Sequence, residues 1–107
     1  MTTAALDLHD IAARAAAASG ATQVILFGSR ARGDAREDSD VDLLLVVADE
    51  CDLTQAGLAA HRALFPPRVG FDILPTCESD FLNGETLLAR VARREGVILY
   101  ACVTAGE

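Results

Sequence analysis

The chain has 107 residues, 51% of them hydrophobic and only 5% aromatic, and carries a formal net charge of −7. That length fits one domain over residues 1–107, no apolar run nears the roughly 18 residues of a membrane span, and so acidic a chain is repelled by bulk nucleic acid. Met1 to Asp10 carries acids where a signal peptide needs basic residues. Cys51, Cys77 and Cys102 form no CxxC or Cys/His zinc pattern, so a reduced, cytoplasmic compartment is expected.

Leu6, Leu8, Ile11, Ala12 and Ala15 recur at helical spacing and Gly20 supplies a stop, which predicts a helix over residues 5–19. Gln23 to Phe27 is a short β-branched and aromatic run ending at Gly28, hence a buried strand. Ser29 to Asp38 is polar and charged and predicts a turn, a short helix and a loop, in which Asp34, Glu37 and Asp38 face water. Val41 to Val47 reads as the second strand, and Leu53 to Phe65 as a helix ended by Pro66-Pro67. Phe71 to Leu74 reads as a third strand closed by Pro75, followed by a single turn over Ser79 to Leu82. Glu85 to Glu95 predicts a helix with Leu87, Leu88, Val91 and Ala92 on one side, and Val97 to Tyr100 a last strand. The order implies an α+β (α/β-like) layer, a mixed β-sheet packed by helices.

The chemistry lies between the first two strands and in the third. Side chains alternate along a strand, so Asp40 and Asp42 share one face with roots about 7 Å apart, and their tips can converge on one cation. Mg2+ takes hard oxygen ligands, usually one or two carboxylates plus phosphate oxygens and water. With no cation the two acids repel and one tends to take a proton. Asp72 faces away from Phe71 and Ile73. It joins the same cluster if its strand neighbours that of Asp42, at about 5 Å. Three acids can hold two metals, with Asp72 as base and second-metal ligand. Gly28 allows a close backbone approach or a positive φ. The Ser29 hydroxyl and the amides after it would open a helix, where anions bind. Arg30 and Arg32 can add charge-assisted bonds to phosphate, or lie solvated on the surface.

The pattern Gly28-Ser29, ten residues, Asp40-Val41-Asp42 arises by chance in about one chain in a thousand of this length, so a turn with solvated acids is the weaker explanation. It resembles the signature of the DNA polymerase beta-type nucleotidyltransferase superfamily. The fuller strings Gly28-Ser-Arg-Ala-Arg-Gly33 and Ser39-Asp-Val-Asp-Leu43 resemble most closely the minimal nucleotidyltransferases. These are short prokaryotic proteins, often antitoxins encoded beside a helical HEPN-domain toxin. The resemblance spans roughly residues 5 to 100. It implies the nucleotidyltransferase fold, one or two Mg2+ ions, ATP as substrate, and transfer of AMP, in some members to a tyrosine of the toxin. Carried over, Gly28 and Ser29, with Arg30 and Arg32 beside them, would bind the triphosphate. Asp40 and Asp42 would hold the metal, and Asp72 would be the third carboxylate. The expected partner is a HEPN-type toxin, with no membrane and no nucleic acid. Two other readings stay open: an antitoxin that neutralises by contact alone, and transfer to a small molecule such as an aminoglycoside. For the latter a chain this short offers little acceptor pocket unless a dimer supplies it. His9 and His61 lack partners at metal spacing, and Tyr100 is expected to pack the last strand.

Overall fold

Alanine lets two helices lie close together on one face of a sheet, and this chain places its alanines accordingly. The structure is a computed structural model and describes residues 7–36, 39–65, 70–84 and 87–102, with residues 87 and 88 described by backbone alone. In chain order its elements are α1 (Leu8–Ser19), β1 (Gln23–Phe27), α2 (Ser29–Arg32), β2 (Val41–Val47), α3 (Leu53–Ala63), β3 (Phe71–Cys77), α4 (Glu78–Asn83), α5 (Leu87–Glu95) and β4 (Val97–Ala101).

Asp7 caps α1 by accepting from the Asp10 N–H at 3.0 Å, and Gly20 closes it in the left-handed conformation. Asp52 caps α3 in the same way through the Gln55 N–H. The two helices pack on each other and on one sheet face through Ile11, Ala12, Ala15, Ala56 and Ala60, which meet Val24, Leu26, Leu43 and Leu45. The opposite face carries Ile25, Phe27, Leu44 and Val46, covered by Phe81 of α4 and by Ala89 and Ala92 of α5. A central strand buried on both faces must be apolar throughout. In β2 only Asp42 breaks that rule.

The sheet order is β3-β2-β1-β4. β1 runs antiparallel to both β2 and β4, whereas β2 and β3 run parallel, so the sheet is mixed as expected. Parallel pairing begins where the Val41 N–H donates to the Gly70 carbonyl at 2.9 Å. The register then sets Val41 opposite Phe71 and Asp42 opposite Asp72.

Several boundaries differ from those the sequence suggests. α1 starts at Leu8 rather than at residue 5, because Asp7 is extended and caps it; the residues before Asp7 lie outside the described residues. α3 ends at Ala63, ahead of Pro66-Pro67, which also lie outside them. β3 does not stop at Leu74 but runs through Pro75 to Cys77. The reason is its place at the sheet edge, where one side of the strand has no partner and a missing N–H need break no ladder bond. α4 is a full helix over Glu78–Asn83 rather than a single turn. The buried side of α5 is Ala89 and Ala92, with Val91 half-buried; the side chains of Leu87 and Leu88 fall outside the described set. Among the described residues no helix is long and apolar enough to cross a membrane.

Gly96 joins α5 to β4 with no room for a side chain. A Cβ there would meet the Ala92 carbonyl oxygen and stand 2.5 Å from Ile25 Cγ2. Gly96→Ala is therefore expected to lower stability by about 1–3 kcal/mol through overpacking, read as a shifted denaturant midpoint at unchanged slope. An unchanged midpoint would mean that the α5–β4 corner yields freely.

Candidate active site

A carboxylate in a buried strand survives only at its end, where water or a ligand can reach it. Asp42 is the second residue of β2, half-buried, at the end of the sheet where β1 finishes. Its backbone pairs with Phe27 on one side and Asp72 on the other. Residues directly paired across parallel strands project to the same face, so Asp42 and Asp72 stand side by side on the face covered further along by α4 and α5. Burial pushes the Asp42 carboxyl above its ordinary value. The adjacent Asp72 adds to the rise by repulsion and by a hydrogen bond, and Asp40 adds repulsion, while Arg32 opposes it. Loss of water is the largest single cause, ahead of each neighbouring charge taken alone.

Gly28 supplies the clearance for this pair. It precedes α2 with φ 79° and ψ −155°, a conformation reserved for glycine. A Cβ on it would collide with Asp42 Oδ2 and lie 3.2 Å from Cγ. The turn and the acid therefore touch directly. The strand-end glycine is needed for its φ and for its bareness at once. Next to it, α2 is a single turn whose Ala31 and Arg32 N–H groups donate to the Gly28 carbonyl. The Ser29 hydroxyl has no hydrogen-bond partner among the described residues.

The arginines are engaged within the protein. Arg30 donates from Nε and Nη2 to the Ser39 carbonyl at 3.1 and 2.7 Å. Arg32 pairs with Asp34 at 3.5 Å and, through Nη1, with Glu95 at 3.1 Å, which ties α2 to the end of α5. Both contacts favour its charged form, Asp34 most. Asp40 lies just before β2, exposed, with its carboxylate against Gly70. Asp42 and Asp72 thus form the close pair, with Asp40 beside them. Among the described residues no three acid, histidine or cysteine side chains form a ready metal cage. That arrangement fits Mg2+, which is usually held by one or two carboxylates and completes its shell with substrate oxygens and water. The donors are hard oxygens on one face, and the raised Asp42 carboxyl marks charge that a cation would relieve.

The other candidates are not among the groups that shift Asp42, and His9 instead lines a cavity with Leu26, Arg30 and Val97. His9 Nδ1 contacts the Leu99 carbonyl at 3.3 Å and His61 is exposed on α3. The three cysteines are free thiols, and Tyr100 packs against the α1 side of the sheet. Glu37 and Asp38 lie outside the described residues. Gly70 and Ser39 had no assigned part from sequence. A glycine two residues ahead of an acid at a strand start was the available signal for Gly70. Nothing in the sequence marked the Ser39 carbonyl as a partner of Arg30.

Comparison with known proteins bears on the family and the fold. A family profile described as the nucleotidyltransferase domain matches residues 11–91. No curated protein matches the sequence. The fold is similar to a chain in a crystal structure of a toxin–antitoxin with AMP-PNP, with TM-score 0.67 and 18% identity over 90% of this chain and 74% of that one. It is also similar to a candidate nucleotidyltransferase from Sulfolobus solfataricus, with TM-score 0.58 and 26% identity over 85% of this chain and 74% of that one. The four-stranded mixed sheet packed by helices is the nucleotidyltransferase fold.

Proposed function

The chain belongs to the nucleotidyltransferase domain family, and on that premise we propose that it transfers AMP from ATP to a protein acceptor, as the antitoxin that modifies and neutralises a helical HEPN-type toxin in the cytoplasm. The observation that carries this reading is the pairing of Asp42 with Asp72 directly beside the Gly28 turn. The similarity to a chain in a toxin–antitoxin structure with AMP-PNP supports the choice of nucleotide and partner.

In this reading Gly28 and Ser29 cradle the triphosphate, and Arg32 offsets part of the acid charge. One or two Mg2+ ions, held by Asp40, Asp42 and Asp72, would supply positive charge against the triphosphate. The acceptor hydroxyl attacks the α-phosphorus. Its oxygen forms the new P–O bond, its proton passes to Asp72, and the bond to the bridging oxygen breaks to release pyrophosphate. Here the protein contributes position and electrostatics rather than covalent chemistry.

The test incubates the protein with Mg2+, α-labelled ATP and a lysate of its source organism, beside the Asp40→Asn, Asp42→Asn variant. A labelled protein of another size, absent with the variant, is the expected result. If both forms capture the same partner and neither labels it, neutralisation by contact replaces this proposal.

A further inference from the structure

Arg30 follows the Ser29 turn, where a phosphate-binding guanidinium would be expected, yet two of its N–H groups are turned onto the chain's own backbone. Both reach one oxygen, the Ser39 carbonyl, at 3.1 and 2.7 Å. The remaining polar groups of Ser39 are held as well. Its N–H donates to the Arg36 carbonyl at 3.1 Å, and its hydroxyl oxygen accepts from the Arg36 N–H at 2.8 Å. The residue immediately before Asp40 is therefore fixed at every polar atom. On the other side stands Gly70. Its carbonyl accepts from the Val41 N–H at 2.9 Å, which fixes the residue immediately after Asp40. Its missing side chain leaves the space that the Asp40 carboxylate fills, since a Cβ there would lie 2.5 Å from Oδ1 and 3.1 Å from Cγ. Asp40 is exposed, and no described residue donates a hydrogen bond to its carboxylate. Its direction is set by the backbone on either side and by the surface of Gly70.

We propose that Arg30 is a positioning residue: by gripping the Ser39 carbonyl it holds Asp40 against Gly70, where the carboxylate can join Asp42 and Asp72 around a divalent cation. This rests on the metal-dependent reading of the site and deepens it by moving Arg30 from the substrate to the support of Asp40. Charge-assisted bonds from a planar guanidinium suit this task, because two donors converging on one oxygen constrain direction as well as distance. A lysine keeps the charge and loses the fork.

The test compares wild type, Arg30→Lys and Gly70→Ala, each checked for a folded melting transition. Mn2+ binding is read by electron paramagnetic resonance with an ATP analogue present, and binding of the analogue alone is read with chelator. If Arg30 positions Asp40, both variants weaken Mn2+ binding by about 10–100-fold, as loss of ligand support does elsewhere. Analogue binding in chelator stays at the wild-type level. The double variant is no weaker than the worse single one, because both act on the same carboxylate. Wild-type Mn2+ affinity in Arg30→Lys overturns the proposal, as does a loss of analogue binding in chelator confined to Arg30→Lys. Gly70→Ala keeps the test decisive should Arg30→Lys fail to fold, since it removes no hydrogen bond: undiminished Mn2+ binding there denies that Asp40 needs its seat. A wild-type protein that binds the analogue but no Mn2+ defeats the metal-site reading itself, a result distinct from either variant failing alone.

Discussion

Asp42→Asn is expected to abolish nucleotidyl transfer and, at the same time, to make the fold more stable. The loss follows from removing a carboxylate that would hold the cation against the triphosphate, and losing charge stabilisation of that kind lowers rates by about 10²–10³ or more. The gain follows from the position of that charge. Asp42 sits half-buried beside Asp72, and its carboxyl is raised above 3.8, first by loss of water and then by its acidic neighbours. The folded chain therefore binds more protons at Asp42 than the unfolded chain does between 3.8 and the raised value. Stability falls as pH rises through that window and stays lower at neutrality. Asparagine is isosteric and uncharged and removes the dependence. Because the site is partly solvated, the gain is at the small end of such trades, about 0.5–1 kcal/mol, or roughly 3–6 °C in melting temperature for a domain of this size. Thermal melts in chelator, from acid to neutral pH, give the check. Parallel curves for the two proteins, or a variant that melts lower at neutral pH, would show that the wild-type carboxylate is not under strain. Adding Mg2+ and nucleotide should reverse the ranking, because only the wild type gains by binding them.

Gly28→Ala should damage stability and activity together, for two separable reasons. The backbone at φ 79°, ψ −155° is open to glycine alone, and an alanine there costs about 1–3 kcal/mol. The added Cβ also strikes the Asp42 carboxylate. Asp42 can retreat only by leaving Asp72, so transfer should fall at least as far as in Asp42→Asn while the melting temperature drops by roughly 10 °C. Pairing Gly28→Ala with Asp42→Ala distinguishes the two causes. Removing the Asp42 side chain relieves the collision and leaves the backbone strain, so the double variant should melt above Gly28→Ala and below Asp42→Ala. A double variant as stable as Asp42→Ala would mean that the backbone conformation is relaxed at no cost.

The parts that the sequence made readable share a cause. β1 and β2 are central, so their apolar runs are dense and sharply bounded by Gly28 and by Asp40. The caps Asp7 and Asp52 are local signals as well, but the helix read over residues 5–19 passed over Asp7. Where sheet position decides, local reading falls short. Pro75 signals a strand end anywhere but an edge, and only the order β3-β2-β1-β4 shows that β3 is one. The meeting of Asp42 and Asp72 likewise depends on a pairing between strands joined by a helix, which periodicity cannot reveal. Arg30 illustrates a different limit. Its sequence neighbours suggest phosphate, but its guanidinium turns to an oxygen nine residues away, and a loop's path is not written in the composition of the loop.

Sheet edges invite further strands, and unguarded ones lead to aggregation. Both edges here carry a guard. On β3 it is Pro75, which has no N–H to offer an incoming chain. On β4, whose Val97 and Ile98 are exposed and apolar, the register slips opposite Val24 and Ile25, and the Leu99 carbonyl in that irregular stretch is contacted by His9. The proline that a strand-by-strand reading takes as a terminator thus keeps the sheet from growing, while the irregularity in β4 spares an uncharged strand from becoming a template for its own kind.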